Sequence, residues 1–165
     1  MEYRGTLSSA VEYAQAGRIE EWIHLYLTTS ENANLPFSQG LKKCERYYFA
    51  PMRLPLGILK RCCGFEDEMP FKVSRESFDY RVEHLVQAVR ASADIPPLIV
   101  EYGADEFIVS DGNHRHEAFR RAGVTEYFAI VWITDDAELV EFIGRYSSYI
   151  KENKYTSSVY HNKSE

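Results

Sequence analysis

With 165 residues, 45% of them hydrophobic and 14% aromatic, the chain can bury one sizeable core, which excludes a disordered or fibrous protein. A net charge of -6 excludes general attraction to DNA or an anionic membrane surface, although a small local cluster of cations remains compatible with it. Cys44, Cys62 and Cys63 are odd in number and lack CxxC spacing, so free thiols are expected rather than a disulfide framework or a metal site. No apolar stretch has membrane-spanning length, and the start Met1-Glu2-Tyr3-Arg4 is not a secretory leader, so a cytoplasmic protein is expected.

In chain order, residues 7–29 read as helical, with Ile19, Trp22, Ile23, Tyr26 and Leu27 at core-facing spacing after Gly17. A polar link with Pro36 and Gly40 follows. Leu41–Phe49 reads as a short helix, Pro51–Pro55 as an extended edge piece, and Leu56–Cys63 as a turn of helix closed by Gly64. The acidic run Glu66-Asp67-Glu68 reads as a solvated loop. Strands are then expected near 71–73, 98–102, 107–109 and 127–133, and helices over 78–90, 113–122 and from Asp135 to about Ile150. The whole divides into an N-terminal helical extension packed on the core (1–68), an α/β domain with a small mixed sheet and flanking helices (69–150), and a polar, disordered tail (151–165).

Ser110-Asp111-Gly112-Asn113-His114-Arg115 is the most informative stretch, because it joins an apolar strand to a helix through glycine. Such a turn presents unpaired N–H groups and the positive end of a helix dipole, and both attract an anion. His114 and Arg115 add donors suited to phosphate oxygens; an ordinary helix cap by Asp111 or Asn113 is the competing reading. His116 lies two positions on and diverges from His114, which argues against a zinc pair. Arg81 and His84, three apart on the preceding helix, can address one ligand.

Three blocks resemble the ParB/sulfiredoxin superfamily in order: Arg81–Val89, the Pro96-Pro97 lead-in to the strand 98–100, and Gly112-Asn113-His114-Arg115. The last is similar to the sulfiredoxin Gly-Cys-His-Arg signature, to the Asp-Gly-His-His-Arg signature of free serine kinases, and to the Gly-Glu-Arg-Arg box of ParB CTPases. The resemblance implies that Gly112, Asn113, His114, Arg115, Arg81 and His84 contact a nucleotide, ATP or ADP or, in the ParB manner, CTP. Sulfiredoxins carry a hydroxyl residue where this chain has His84. Asn113 stands where sulfiredoxins have their cysteine, and an amide cannot become a thiolate, so sulfiredoxin chemistry is not expected. About thirty residues follow Ile133, too few for the DNA-reading domain of a ParB clamp.

Phosphoryl transfer to a small hydroxyl-bearing molecule is the leading expectation, with Mg²⁺ and an acidic residue to neutralise and position. Asp111 is the candidate for holding Mg²⁺ or orienting the acceptor, and Glu76 for the upstream carboxylate base that the serine kinases carry. A DNA-associated ParB-like protein, a nuclease or a regulator of DNA modification, is the alternative; the acidic composition makes generic DNA binding the less expected of the two.

Overall fold

The computed structural model describes residues 1–31, 33–152 and the backbone of 159–161. Helices α1 (Leu7–Gln15) and α2 (Ile19–Thr29) divide the expected 7–29 helix, because Gly17 adopts a left-handed φ of 72° between them. A short α3 (Leu35–Leu41) follows, its N-terminus capped by Asn34. Helix was expected over 41–49 and 56–63, but these form strands β1 (Tyr47–Phe49), β3 (Leu59–Arg61) and β4 (Cys63–Gly64), with one 3-10 turn at Leu56–Ile58, while the extended piece expected over 51–55 is strand β2 (Met52–Pro55). Beyond it come β5 (Phe71–Lys72), α4 (Arg75–Arg90), β6 (Leu98–Gly103), β7 (Glu106–Asp111), α5 (Asn113–Arg121), β8 (Glu126–Ile133), α6 (Asp136–Arg145), α7 (Ser147–Glu152) and β9 (Val159–His161). From β5 to β8 these agree with the expected elements to within a few residues, whereas α6 and α7 divide the one helix expected from Asp135 to about Ile150 and β9 falls in the tail expected to be disordered.

The main sheet runs β3-β7-β6-β8-β1-β9, with β2 also pairing to β8, so strands from 47–61 are built into the same sheet as those from 98–133. β3 lies parallel to β7 and β6 parallel to β8, while β6–β7 is an antiparallel hairpin turned at Ala104 and Asp105, both with positive φ. β4 and β5 form a separate parallel pair. Of the tail expected to be disordered, Lys151 and Glu152 close α7 and Val159–His161 pairs antiparallel with β1; 153–158 and 162–165 lie outside the described residues.

Alternation along β8 shows how the sheet is covered. Ala129, Val131 and Ile133 face a core shared with Phe119 of α5 and Phe142 of α6. Ile130 and Trp132 face the other way, against Trp22, Ile23, Tyr26 and Leu27 of α2. The N-terminal helices thus cover one face of the sheet, and α5 and α6 the opposite one. α4 packs its Ala88 and Val89 against the core cluster beneath the sheet, and its Phe78, Val82 and Val86 against Ala118 of α5. Around that contact buried Glu117 accepts from Arg120 and Arg121, and Arg121 reaches across to Asp79 at 2.6 Å. Those two arginines outweigh burial and hold the Glu117 carboxyl at about 2. No helix among the described residues is long and apolar enough to cross a membrane.

Candidate functional site

The site begins where β7 ends. A β-bulge opposite Ile99 and Val100 shifts the hairpin register, so that Asp111 stands across from Ile99 and the strand passes into Gly112. Gly112 has φ +103° at the N-cap of α5, and a Cβ there would lie 2.7 Å from Leu98 Cδ2 and from Arg115 Nη2. Only glycine meets both demands. No side chain caps α5, whereas Thr6, Asn34, Ser74 and Asp135 cap α1, α3, α4 and α6. The first-turn N–H groups, which have no carbonyl partner inside the helix, therefore stay unclaimed by a capping side chain.

Arg115 is buried and held on three sides. Nη1 donates to the Tyr26 hydroxyl, Nη2 to the Pro97 carbonyl at 3.1 Å, and Asp111 Oδ2 lies 3.7 Å from Nη2. Its Nε is buried without a hydrogen-bond partner. Burial pushes the Asp111 carboxyl up, against the downward pull of Arg115 and Arg81.

His114 packs its ring 4.9 Å from that of Phe78, and desolvation together with Arg81, Arg115 and Arg61 pulls its pKa down to about 4. His114 is thus a neutral imidazole at neutral pH, able to donate from one nitrogen and accept at the other. His116 is fixed by the Leu56 carbonyl at 3.0 Å and is also pulled down by burial. Both histidines are held neutral in the fold but charge freely once unfolded. Stability is therefore expected to be full above about pH 6.5 and to be lost as pH falls from there toward 4. Urea midpoints at pH 7 and pH 4.5 would read this, and His114→Gln should flatten the difference. An unchanged pH dependence in that variant would contradict the assignment.

Asn113, expected to contact nucleotide, has its side chain occupied inside the protein. Oδ1 accepts from the Cys62 N–H at 2.8 Å and the Cys63 N–H at 3.2 Å, and Nδ2 donates to the Val109 carbonyl at 3.1 Å. It clamps β3 and β4 to the helix start. Glu76 is exposed in the first turn of α4 and lines neither cavity described below. His84 is exposed on α4, with Nδ1 2.9 Å from the Tyr80 carbonyl and its ring 4.5 Å from that of Tyr80.

Two cavities meet at Arg81, Asp111, Gly112 and His114. The first, about 510 Å³, adds Arg115, Tyr26, Tyr80, His84, Asp94 and Pro96 to its wall. The second, about 1120 Å³, lies on the other side of the turn and adds Arg61, Cys62, Cys63, Ser110, Glu101 and Trp132. The structure therefore brings Gly112, His114, Arg115, Arg81, His84 and Asp111 together. Tyr26 and Arg61 join them from α2 and β3 without any local sequence signal. Tyr26 sits at ordinary core spacing, and Arg61 stacks over Phe78 at 5.0 Å from a segment that reads as helix. Arg61 also pairs with Glu66. Arg61, Arg81 and Arg115 bring positive charge to the mouth of α5, offset by Glu66 on Arg61 and by Asp111 beside Arg115, and the uncapped helix N-terminus adds to it. Cys62 Sγ donates to the Val109 carbonyl at 3.1 Å, and burial pushes its thiol pKa up, which keeps it protonated rather than nucleophilic.

Among known proteins, residues 68–145 match the ParB N-terminal domain. No curated protein matches the chain significantly. Among solved structures, sulfiredoxin from Arabidopsis thaliana is 20% identical at a TM-score of 0.40, over 58% of this chain and 97% of that one. The C-terminally truncated chromosome-partitioning protein ParB from Caulobacter crescentus, solved with CTP-gamma-S, is 25% identical at 0.40, over 59% of this chain and 53% of its own. A Pnob8-like ParB-N domain is 19% identical at 0.38, over 60% of this chain and 37% of its own. The chain thus spans about half, or less, of those two ParB chains. The matched segment begins at residue 68, after α1–α3 and β1–β4.

Proposed function

We propose, for a chain whose residues 68–145 match the ParB N-terminal domain, that the mouth of α5 binds a nucleotide through its phosphates. The observation that carries this reading is the buried, unpartnered Arg115 Nε beside a helix N-terminus that no side chain caps. A buried donor without an acceptor costs about 1–3 kcal/mol, and an anion seated at the turn removes that cost while meeting the first-turn N–H groups. Arg81 faces the same space from α4 and supplies charge, while neutral His114 supplies a directed donor. Asn113 positions the turn and does not enter the ligand set.

The chemistry that fits is phosphoryl transfer from ATP or ADP to a small hydroxyl-bearing molecule. The acceptor oxygen attacks the terminal phosphorus, the bond to the leaving phosphate oxygen breaks, and the hydroxyl proton passes to Asp111. Among the described residues no three His, Cys, Asp or Glu side chains gather as a metal cage. Asp111 together with the nucleotide's own phosphate oxygens suits Mg²⁺, which keeps several waters and takes few protein ligands. Glu76 is too far out on α4 to join it, since it lines neither cavity. Calorimetry with ATP, ADP, CTP and GTP in Mg²⁺ tests the reading, and a plain DNA duplex serves as the control polyanion. The acidic composition leads us to expect no duplex binding at physiological salt.

A further inference from the structure

The smaller cavity, about 510 Å³, runs from the turn at Gly112 to a wall built by the loop after α4 and by the N-terminal extension. Its two guanidiniums, Arg81 and Arg115, stand at the turn, where both act on Asp111 and on His114. The other two carboxylates enter from elsewhere. Glu31 follows the end of α2, five residues past Tyr26, and Asp94 follows the end of α4, three residues before Pro97. Tyr26 and Pro97 are the partners of Arg115, so each carboxylate is set off from the turn by a few residues of chain. Gly5, Tyr26 and Glu31 all precede residue 68, where the segment matched to the ParB N-terminal domain begins.

This wall combines a flat surface with acceptors. Tyr80 is 67% exposed at the rim, and its ring lies 4.5 Å from that of His84 at 51°. His84 Nδ1 donates to the Tyr80 carbonyl at 2.9 Å, since a carbonyl only accepts, and this ties the imidazole to its own helix. Asp94 commits Oδ1 to the Ser8 N–H at 3.2 Å, which leaves Oδ2 for another donor. Glu31 makes no hydrogen bond or ion pair among the described residues. Ionised carboxylates only accept. A ligand that offers them an amine is matched, whereas one that offers a carbonyl oxygen sets acceptor against acceptor and leaves hydrogen bonds unmade.

We propose that this wall reads the base of the nucleotide: Tyr80 and His84 stack on its face, and Glu31 and Asp94 accept from an exocyclic amine. Adenine and cytosine carry such an amine, and hypoxanthine and uracil carry a carbonyl oxygen in its place. The inference rests on the phosphate site at the mouth of α5 and deepens it. Two observations point to a ligand that spans the cavity rather than to a solvated acidic rim: the buried, unpartnered Arg115 Nε at one end and the exposed aromatic pair on α4. Charge fixes the orientation, because phosphates are drawn to Arg81 and Arg115 and repelled by Glu31 and Asp94. Glu31 belongs to the extension, so the choice of base is made in part by residues outside the matched domain.

Titration calorimetry on the full chain in Mg²⁺, with ATP against ITP and CTP against UTP, reads the base, and inorganic tripolyphosphate reads the phosphate site without one. In at least one pair the amino nucleotide is expected to bind at least tenfold tighter than its carbonyl counterpart. Glu31→Gln combined with Asp94→Asn should bring that pair to within about threefold, since each amide can donate to a carbonyl oxygen, and Asn keeps the oxygen that accepts from Ser8. Tyr80→Ala should weaken the amino nucleotide severalfold and leave tripolyphosphate unchanged, with all variants checked for folding by thermal melts. Equal affinity within both pairs overturns the proposal, as does discrimination that survives in the double variant. So does Tyr80→Ala if it spares the nucleotide or weakens tripolyphosphate as much. Tripolyphosphate bound with no choice of base fails this inference alone, whereas binding of none of these compounds fails the phosphate site and this inference with it.

Discussion

Arg115→Ala should destabilise the protein by about 3–5 kcal/mol, the cost of removing one member of a buried charge pair. Arg115 is only 8% exposed, and its loss leaves the Tyr26 hydroxyl and the Pro97 carbonyl without their donor and the Asp111 carboxylate without its paired charge. At roughly 2–4 °C per kcal/mol for a chain of this size, the melting temperature should fall by about 6–20 °C. Arg115→Lys keeps the charge, yet a single ammonium cannot hold the forked geometry, so it should fall between wild type and alanine. A wild-type melting temperature in Arg115→Ala would mean that the clasp on Tyr26 and Pro97 contributes nothing. The consequence for function is that any loss of ligand binding in this variant must be measured in protein shown to be folded.

Gly112→Ala should cost about 2–4 kcal/mol, from a backbone conformation that L-residues rarely adopt together with overpacking. The added methyl meets Leu98 Cδ2 and Arg115 Nη2, each at 2.7 Å, and Arg115 is pinned by its partners and cannot swing aside. The turn also sets the direction of the first N–H groups of α5, so residual folded protein should bind an anion poorly. Urea unfolding gives the stability change directly. A variant as stable as wild type would show that the turn can be built with an ordinary φ.

Much of this arrangement is legible in the residues. The β6–β7 hairpin, α5 and β8 follow from alternation, the Gly112 punctuation and the apolar line in 113–122, all of them local signals. The helical division at Gly17 is missed because the apolar spacing continues across it. β2 follows the extended piece expected over 51–55, but β1 and β3 are missed for a different reason: they are three residues long and are strands only by virtue of partners far along the chain, β8 for the first and β7 for the second. Short apolar runs do not distinguish helix from strand. The roles of Asn113 and Tyr26 share that origin. Asn113 reads as a ligand from its place in the motif, but the N–H groups that occupy it lie 50 and 51 residues upstream. Tyr26 reads as core, and its hydroxyl meets Arg115 across 89 residues. Residue types at the turn were visible; what surrounds them required the fold.

Arg81 provides the most direct test of the phosphate site, because it lines both cavities from the exposed surface of α4, where substitution disturbs the core little. Isothermal titration of ATP, ADP, CTP and GTP in Mg²⁺ is expected to show saturable binding of at least one nucleotide to wild type. Arg81→Ala, with an unchanged melting temperature, is expected to weaken that binding by at least tenfold, about 1.4 kcal/mol for a charge-assisted contact. No binding of any of the four nucleotides, or the same affinity in wild type and Arg81→Ala, would contradict a phosphate site at the mouth of α5.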